Sequence, residues 1–266
     1  MEPAQREIIG LVPMAGRATR ISPLPMSKEL YPVSIQTTDT GVSPKVVSQF
    51  LLERMRWAGV QKTFIVIRDG KWDIPAYYKD GCALLDMPLS YVLTTVPHGT
   101  PFSLDAAYPF VKDAIVVTGF PDILFQPDDA FSQLIEKLDQ TSADVVLGLF
   151  PHDQPAKDDM VDDDPSEMGG GRVRAIYIKQ DVQHVNHCWN IAVWTPQMTE
   201  FLHQYMMNTL KTGEALKREL SVGHVIQAAL AAGLDIRGVR FPDGKFLDIG
   251  TPEGLGQAQE FSQRAS

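Results

Sequence analysis

Short apolar runs alternate with amphipathic helical stretches along most of this chain, and the beat of that alternation limits the fold more than any single residue does. Apolar runs at residues 8–12, 63–67, 90–94, 114–118 and 144–149 read as strands buried on both faces of a sheet. Between them, residues 44–59, 72–78 and 128–138, and a stretch opening near Thr100, read as helices, the first stopped by Gly59. Further strands are expected at 171–178 and 189–194. Parallel strands need a crossover to return, so this alternation predicts an α/β layered fold with a mostly parallel sheet. In such sheets ligands bind beyond the carboxyl ends of the strands. The loops that follow the strands are therefore where chemistry is expected.

The first of these loops is the most telling. Residues 8–12 empty into Pro13-Met14-Ala15-Gly16-Arg17-Ala18-Thr19-Arg20, and Lys28 follows. Ala15 to Thr19 carry little side-chain bulk apart from Arg17, so backbone N–H groups can approach an anion closely. Arg20 adds a planar fork of donors and Lys28 a mobile point charge. Pro13, Pro23 and Pro25 fix φ and stiffen the segment. Together these features suit a polyphosphate.

Two aspartates stand at strand ends of the same kind. Asp122 follows the most apolar strand in Thr118-Gly119-Phe120-Pro121-Asp122, and Asp248 closes a short strand before Thr251-Pro252-Glu253, a helix start. Carboxylates are the ligands Mg²⁺ takes when phosphates supply the rest of its shell. Spacing alone does not establish that the two meet.

The ordered string Gly16-Arg17-Ala18-Thr19-Arg20, followed by Ser27-Lys28-Glu29-Leu30-Tyr31-Pro32-Val33, resembles the G-x-G-T-R and P-K-x-L-x-P-V signature of the sugar-1-phosphate nucleotidyltransferases. Ala18 stands where that family has a second glycine, and Ser27 where it has proline. Phe246-Leu247-Asp248-Ile249-Gly250-Thr251-Pro252-Glu253-Gly254-Leu255 is similar to the family's W/F-x-D-x-G-T-P-E-x-L motif, whereas Phe120-Pro121 separates Gly119 from Asp122 where the family has them adjacent. The resemblance runs from Gly10 to Leu255 and is nearest to the short, glucose-1-phosphate thymidylyltransferase-like form.

This resemblance implies a Rossmann-like three-layer α/β/α domain of the GT-A type spanning 1–266, with a nucleotide-binding half to about 125 and a sugar-phosphate-binding half beyond. It implies Mg²⁺-dependent transfer of a nucleotidyl group from a nucleoside triphosphate, dTTP or UTP, to a hexose 1-phosphate. Arg20 and Ala15, Gly16, Arg17, Ala18 and Thr19 would bind the triphosphate, Lys28 the α-phosphate, and Asp122 and Asp248 the metal. The segment Val96-Pro97-His98-Gly99-Thr100 resembles the base-reading turn, with Gly99 close to base or ribose and Thr100 capping the helix that follows; the glutamine common there in thymidine- and uridine-selective members is missing, and His98 reads as a turn residue. Lys179 matches the lysine that meets the sugar phosphate, though Ile178 and Gln180 replace its usual neighbours, and Asn190 follows in the next strand. Homo-oligomers are frequent in the family.

Composition narrows the remaining classes. With 266 residues, 44% of them hydrophobic and no apolar run near the length of a membrane span, the chain can bury a large core. Its net charge of −9 argues against nucleic acid as a partner. The opening Met-Glu-Pro-Ala-Gln-Arg-Glu has no apolar stretch of a secretory leader, so a cytoplasmic protein with no membrane partner is expected. The two cysteines, Cys82 and Cys188, have no C-x-x-C spacing; His184 and His187 lie near Cys188, but three residues along a strand or loop do not converge ligands. The acidic run 158–164 reads as a solvated loop. Two other classes stay open: a non-catalytic nucleotide or sugar-nucleotide sensor on the same scaffold, and a dinucleotide-dependent oxidoreductase. Against the second, no G-x-G-x-x-G follows the first strand.

Overall fold

The computed structural model describes residues 6–38, 41–95, 99–213 and 220–264. Val96, Pro97 and His98 of the expected base-reading turn lie outside the described residues. In chain order the elements are β1 (Ile8–Pro13), β2 (Pro32–Thr38), β3 (Gly41–Val46), α1 (Val47–Trp57), β4 (Lys62–Ile67), α2 (Asp73–Tyr78), α3 (Cys82–Leu85) and β5 (Leu89–Leu93). Then come α4 (Thr100–Asp105), α5 (Tyr108–Val111), β6 (Ile115–Gly119), β7 (Ile123–Gln126), α6 (Ala130–Thr141), β8 (Val145–Pro151), β9 (Asp159–Asp163) and β10 (Val173–Ile178). The chain continues through β11 (His187–Trp194), α7 (Pro196–Thr212), α8 (Val222–Ala231), β12 (Ile236–Arg240), β13 (Lys245–Asp248) and α9 (Pro252–Arg264).

The expected α/β architecture is present. A nine-stranded mixed sheet runs β5-β4-β1-β6-β11 and continues through β8 to β12, while β9 and β10 extend it beside the start of β11. Pairs β5–β4, β4–β1, β1–β6 and β8–β12 are parallel; β11 runs antiparallel to both β6 and β8. Because side chains alternate along a strand, each central strand feeds two cores. Val116, Leu147 and Ala192 face one way and meet α4, α7 and α8 through Phe102, Leu202 and Ile226. Val117, Val146 and Val193 face the other way and meet α1 and α6 through Leu52, Met55, Phe131 and Leu134. That accounts for continuous apolar strands and for three layers. Among the described residues, no helix is long and apolar enough to cross a membrane.

Two expectations are corrected. The helix predicted from Pro44 begins at Val47, because Pro44, Lys45 and Val46 belong to β3 and pair with β2 in a hairpin. Proline is tolerated there because a two-stranded sheet has only edges. The acidic run expected as a solvated loop forms β9, with Met160 and Val161 buried. Its Asp163 is also buried, and the charge is compensated by Arg240 at 2.8 Å and by the Gly171 N–H at 2.9 Å.

A small third core sits below the main sheet. Val33, Val47, Phe50, Leu124, Ile249 and Ala258, with Leu247 packed against them, join β2, α1, β7, β13 and α9. Burying these side chains fixes β13 against β7, and so places the chain's C-terminal motif next to the end of β6.

Candidate functional site

Parallel strands β1, β4 and β6 lie side by side, so the loops after Pro13, Ile67 and Gly119 open at the same sheet edge. Residues 14–18 form the first loop and lead into a 3₁₀ turn, Thr19–Ile21. Gly16, Arg17, Thr19 and Arg20 are exposed, while Ala15 and Ala18 are half-buried. Ala18 adopts φ 53° and ψ 34°, the left-handed conformation for which glycine is favoured. The loop thus keeps a glycine-type backbone with an alanine in it.

A second 3₁₀ turn, Lys28–Leu30, carries Lys28 back under this loop, its stem 3.9 Å from where a Cβ on Gly16 would lie. The departure at Ser27 has a local use: its backbone N–H and its hydroxyl each donate to Asp73, both at 2.7 Å. Proline could have made neither bond. The turn is held from the other side by Glu29, whose buried carboxylate receives Lys71 Nζ on both oxygens at 2.6 Å. Burial raises the Glu29 pKa against the pull of Lys71, and lowers that of Lys71 against the pull of Glu29. Sequence reasoning missed Lys71 and Asp73; the signal available was their position just beyond β4, at the strand ends where ligands bind.

The two aspartates meet. Asp122 comes three residues after the end of β6, and Ile123 opens β7, which pairs antiparallel with β13 so that Ile123 faces Asp248. The N–H of Ile249 donates to the Asp122 carbonyl at 3.0 Å, and that of Gly250 to Asp248 Oδ1 at 2.7 Å. Phe120-Pro121 therefore lengthens the path to Asp122 without taking it away from Asp248. A Cβ on Gly250 would stand 2.8 Å from Asp248 Oδ1, 3.0 Å from Asp122 Oδ2 and 3.0 Å from Arg20 Nη2. Three charged groups from distant parts of the chain thus face one glycine that leaves them room.

Lys28 Nζ is bonded to Asp122 Oδ2, and Arg20 Nη2 to Asp248 Oδ2 at 3.2 Å. Burial pulls the Lys28 pKa down, but Asp122, with help from Glu29 and Asp248, more than offsets it and holds the ammonium above the ordinary lysine value. Asp248 is pushed up by burial and by the negative charge of Asp122, against the Gly250 N–H, Arg20 and Lys28. Two hard carboxylates side by side, with the charge of Asp122 raising the Asp248 pKa, are a donor set that fits a magnesium ion.

The other sequence-predicted residues do not join this quartet. Gly99 has φ +112°, and a Cβ there would lie 2.3 Å from the Leu220 carbonyl oxygen; the close backbone partner within the chain is Leu220. Thr100 does not cap α4: it is the first helical residue, and Gly99, which has no side chain to donate or accept, occupies the cap position. Lys179 directly follows β10 and is exposed, with φ 49°, and its charge acts on Asp159. Asn190 sits buried at an irregularity in the β11–β8 pairing and donates to Cys188 Sγ at 3.8 Å. Among the described residues, no hydrogen bond or ion pair links Lys179 or Asn190 to Lys28, Asp122 or Asp248.

No family model matches the chain, and no curated protein matches it in sequence. Solved structures do. A protein assigned as a glucose-1-phosphate thymidylyltransferase from Bacillus anthracis, in complex with sucrose, superposes with a TM-score of 0.80 over 96% of this chain and 95% of its own, at 15% identity. The chain has the fold of the sugar-1-phosphate nucleotidyltransferases. A UDP-glucose pyrophosphorylase complexed with UDP-glucose gives 0.78 at 18% identity, covering 98% of this chain and all 100% of that one. A UTP-bound enzyme of the same kind from Acinetobacter baumannii gives 0.74 at 16%, over 96% and 93%. The nucleotidyltransferase fold is therefore matched end to end, at identities that leave the site residues to be argued from this chain's own geometry.

Proposed function

We propose that the protein transfers a nucleotidyl group from a nucleoside triphosphate, dTTP or UTP, to a hexose 1-phosphate, giving a nucleoside-diphosphate sugar and pyrophosphate. The observation that carries this reading is the convergence of Arg20, Asp122 and Asp248 around Gly250, with Lys28 bonded to Asp122, beyond the end of β6 and under an open small-residue loop.

In the reaction an oxygen of the sugar 1-phosphate attacks the α-phosphorus. A new P–O bond forms, and the bond from the α-phosphorus to the oxygen bridging it to the β-phosphate breaks, releasing pyrophosphate. The attacking phosphate is already ionised near neutral pH, so no side chain need act as base or nucleophile. The protein supplies position and charge.

In this assignment the backbone of Ala15 to Thr19 and the Arg20 guanidinium receive the β- and γ-phosphates, with Arg17 at the rim. Lys28, held beside Asp122, lies on the α-phosphate side and offsets charge that builds as pyrophosphate leaves. Asp122 and Asp248 would hold Mg²⁺, which when bound supplies Lewis-acid neutralisation of the phosphates. Gly99 and Thr100 are assigned to the nucleoside end, and Lys179 and Asn190 to the sugar-phosphate end. Glu29, Lys71 and Asp73 act as positioning residues through the turn that carries Lys28.

The test is pyrophosphate release from a panel of nucleoside triphosphates against several hexose 1-phosphates, with magnesium. Turnover with one pairing supports the reading. Tight nucleotide binding with no pyrophosphate from any pairing would sink it and leave a sensor on the same scaffold.

A further inference from the structure

The histidines near Cys188 in sequence do not assemble around it: His184 turns to the Tyr177 hydroxyl, at 3.3 Å. A different histidine does. Among the described residues, His152, Asp158 and Cys188 are the one group of three side chains with donor atoms all within 4.8 Å of one another. The geometry points to a site for a borderline-soft divalent cation of the zinc class, held by His152 Nε2, Asp158 Oδ2 and Cys188 Sγ.

Strand pairing builds it. His152 directly follows β8, Asp158 directly precedes β9, and Cys188 lies in β11 with Phe150 of β8 on one side and Met160 of β9 on the other. The three ligands come from three adjacent chain segments at one end of the sheet. His152 Nε2 and Asp158 Oδ2 are already 2.9 Å apart, and the Gln154 carbonyl oxygen lies 3.1 Å from the same nitrogen. Zinc bonds of about 2.0–2.3 Å in a tetrahedron place donors roughly 3.3–3.8 Å apart, so side-chain shifts of about 1 Å close the site. A thiolate, an imidazole and a carboxylate together favour this class over magnesium.

Surroundings agree with that chemistry. Cys188 is fully buried and forms the floor, whereas the His152 and Asp158 side chains are 13% and 37% exposed, giving an ion a path from solvent. Met160 and Val185, with Tyr177, Val182 and Phe246 around them, exclude water from the sulfur. Asn190 donates to Sγ, an outer contact of the kind that orients a ligand. A cation takes the place of the thiol proton, which leaves to solvent, and satisfies the carboxylate charge. Bound there, it ties the 152–158 loop across β8, β11 and β9, with one coordination position left for water or the Gln154 carbonyl.

Cobalt(II) titration of the metal-free full chain decides the matter, in a Cys82→Ser background that removes the exposed thiol and with excess Mg²⁺ present to occupy carboxylate-only sites. The expected result is a thiolate-to-cobalt charge-transfer band that saturates at one equivalent and bleaches when zinc is added. It is lost in Cys188→Ser and in His152→Ala, and cobalt affinity falls at least tenfold in Asp158→Asn. His152 and Asp158 lie near the surface, so their variants keep the test decisive if Cys188→Ser fails to fold. No band, or a band unchanged in His152→Ala, overturns the site. Nucleotidyl transfer is not the readout, so this result is separate from that of the proposed function.

Discussion

The Lys28 ammonium is bonded to the Asp122 carboxylate across 94 residues of sequence. The pair joins the Lys28–Leu30 turn to the segment that follows β6 and makes Lys28 an electrostatic counterpart of the aspartates. Replacing Lys28 or Arg20 with glutamine removes positive charge from the site while keeping side-chain bulk. Turnover should fall about 10²- to 10³-fold, the scale of losing one preorganised charge-stabilising group. Far-UV circular dichroism should be unchanged; a loss of only a few-fold would contradict the assigned roles.

Chelating magnesium should abolish turnover, and Asp248→Asn should weaken magnesium binding. Asp248 has its pKa raised by burial and by Asp122, so its affinity for the ion should be full at neutral pH and fall as acid protonates it. Asp122→Asn removes the neighbouring charge and should move the Asp248 part of that fall to lower pH. Calorimetric magnesium titrations across pH read both effects.

Ala18 pays for its left-handed backbone at φ 53°. Glycine there relieves about 1–2 kcal/mol of steric cost and returns roughly 0.5–1 kcal/mol through the greater freedom of the unfolded chain. Ala18→Gly should therefore gain between about 0 and 1.5 kcal/mol, a rise in Tm of at most roughly 3–6 °C. A Tm lowered by the substitution in calorimetry would show that the loop carries no such strain.

Asp159 is pushed up to about 6, chiefly by burial, against Lys179 and the Ser221 hydroxyl. A carboxyl group raised in the folded state favours folding while it is protonated, so its contribution is complete below about pH 4 and is lost as pH rises through about 6. The loss is on the order of 2–3 kcal/mol. Asp159→Asn should flatten that slope in urea unfolding followed from pH 4 to 7.5, and should be more stable than the parent at the upper end.

Lys71→Met leaves the Glu29 carboxylate buried and unpaired, which should cost about 3–5 kcal/mol in denaturant unfolding. Glu29→Leu combined with Lys71→Met should recover most of it. If the double variant unfolds as easily as the single, the loss arises elsewhere than in the stranded charge.

The strands and the layer order were legible because both depend on local periodicity: residues 8–12, 63–67 and 114–118 are apolar but for Thr63 and Thr118, and a strand covered on both faces uses such runs. The 44–46 segment departs from the expectation because its strand character comes from pairing with β2, and the aspartate run because Arg240, which compensates Asp163, comes 77 residues later.

By itself the sequence determined the α/β layering and the candidates Arg20, Lys28, Asp122 and Asp248, since each belongs to a local string whose chemistry is readable in place. Only the tertiary structure decided which of them meet. The β7–β13 pairing brings Asp122 to Asp248, Glu29 finds Lys71, and β8, β9 and β11 gather His152, Asp158 and Cys188. The reason is physical: backbone conformation follows from near neighbours, but a charged site needs groups a few ångströms apart, and only the packing of distant segments sets those distances.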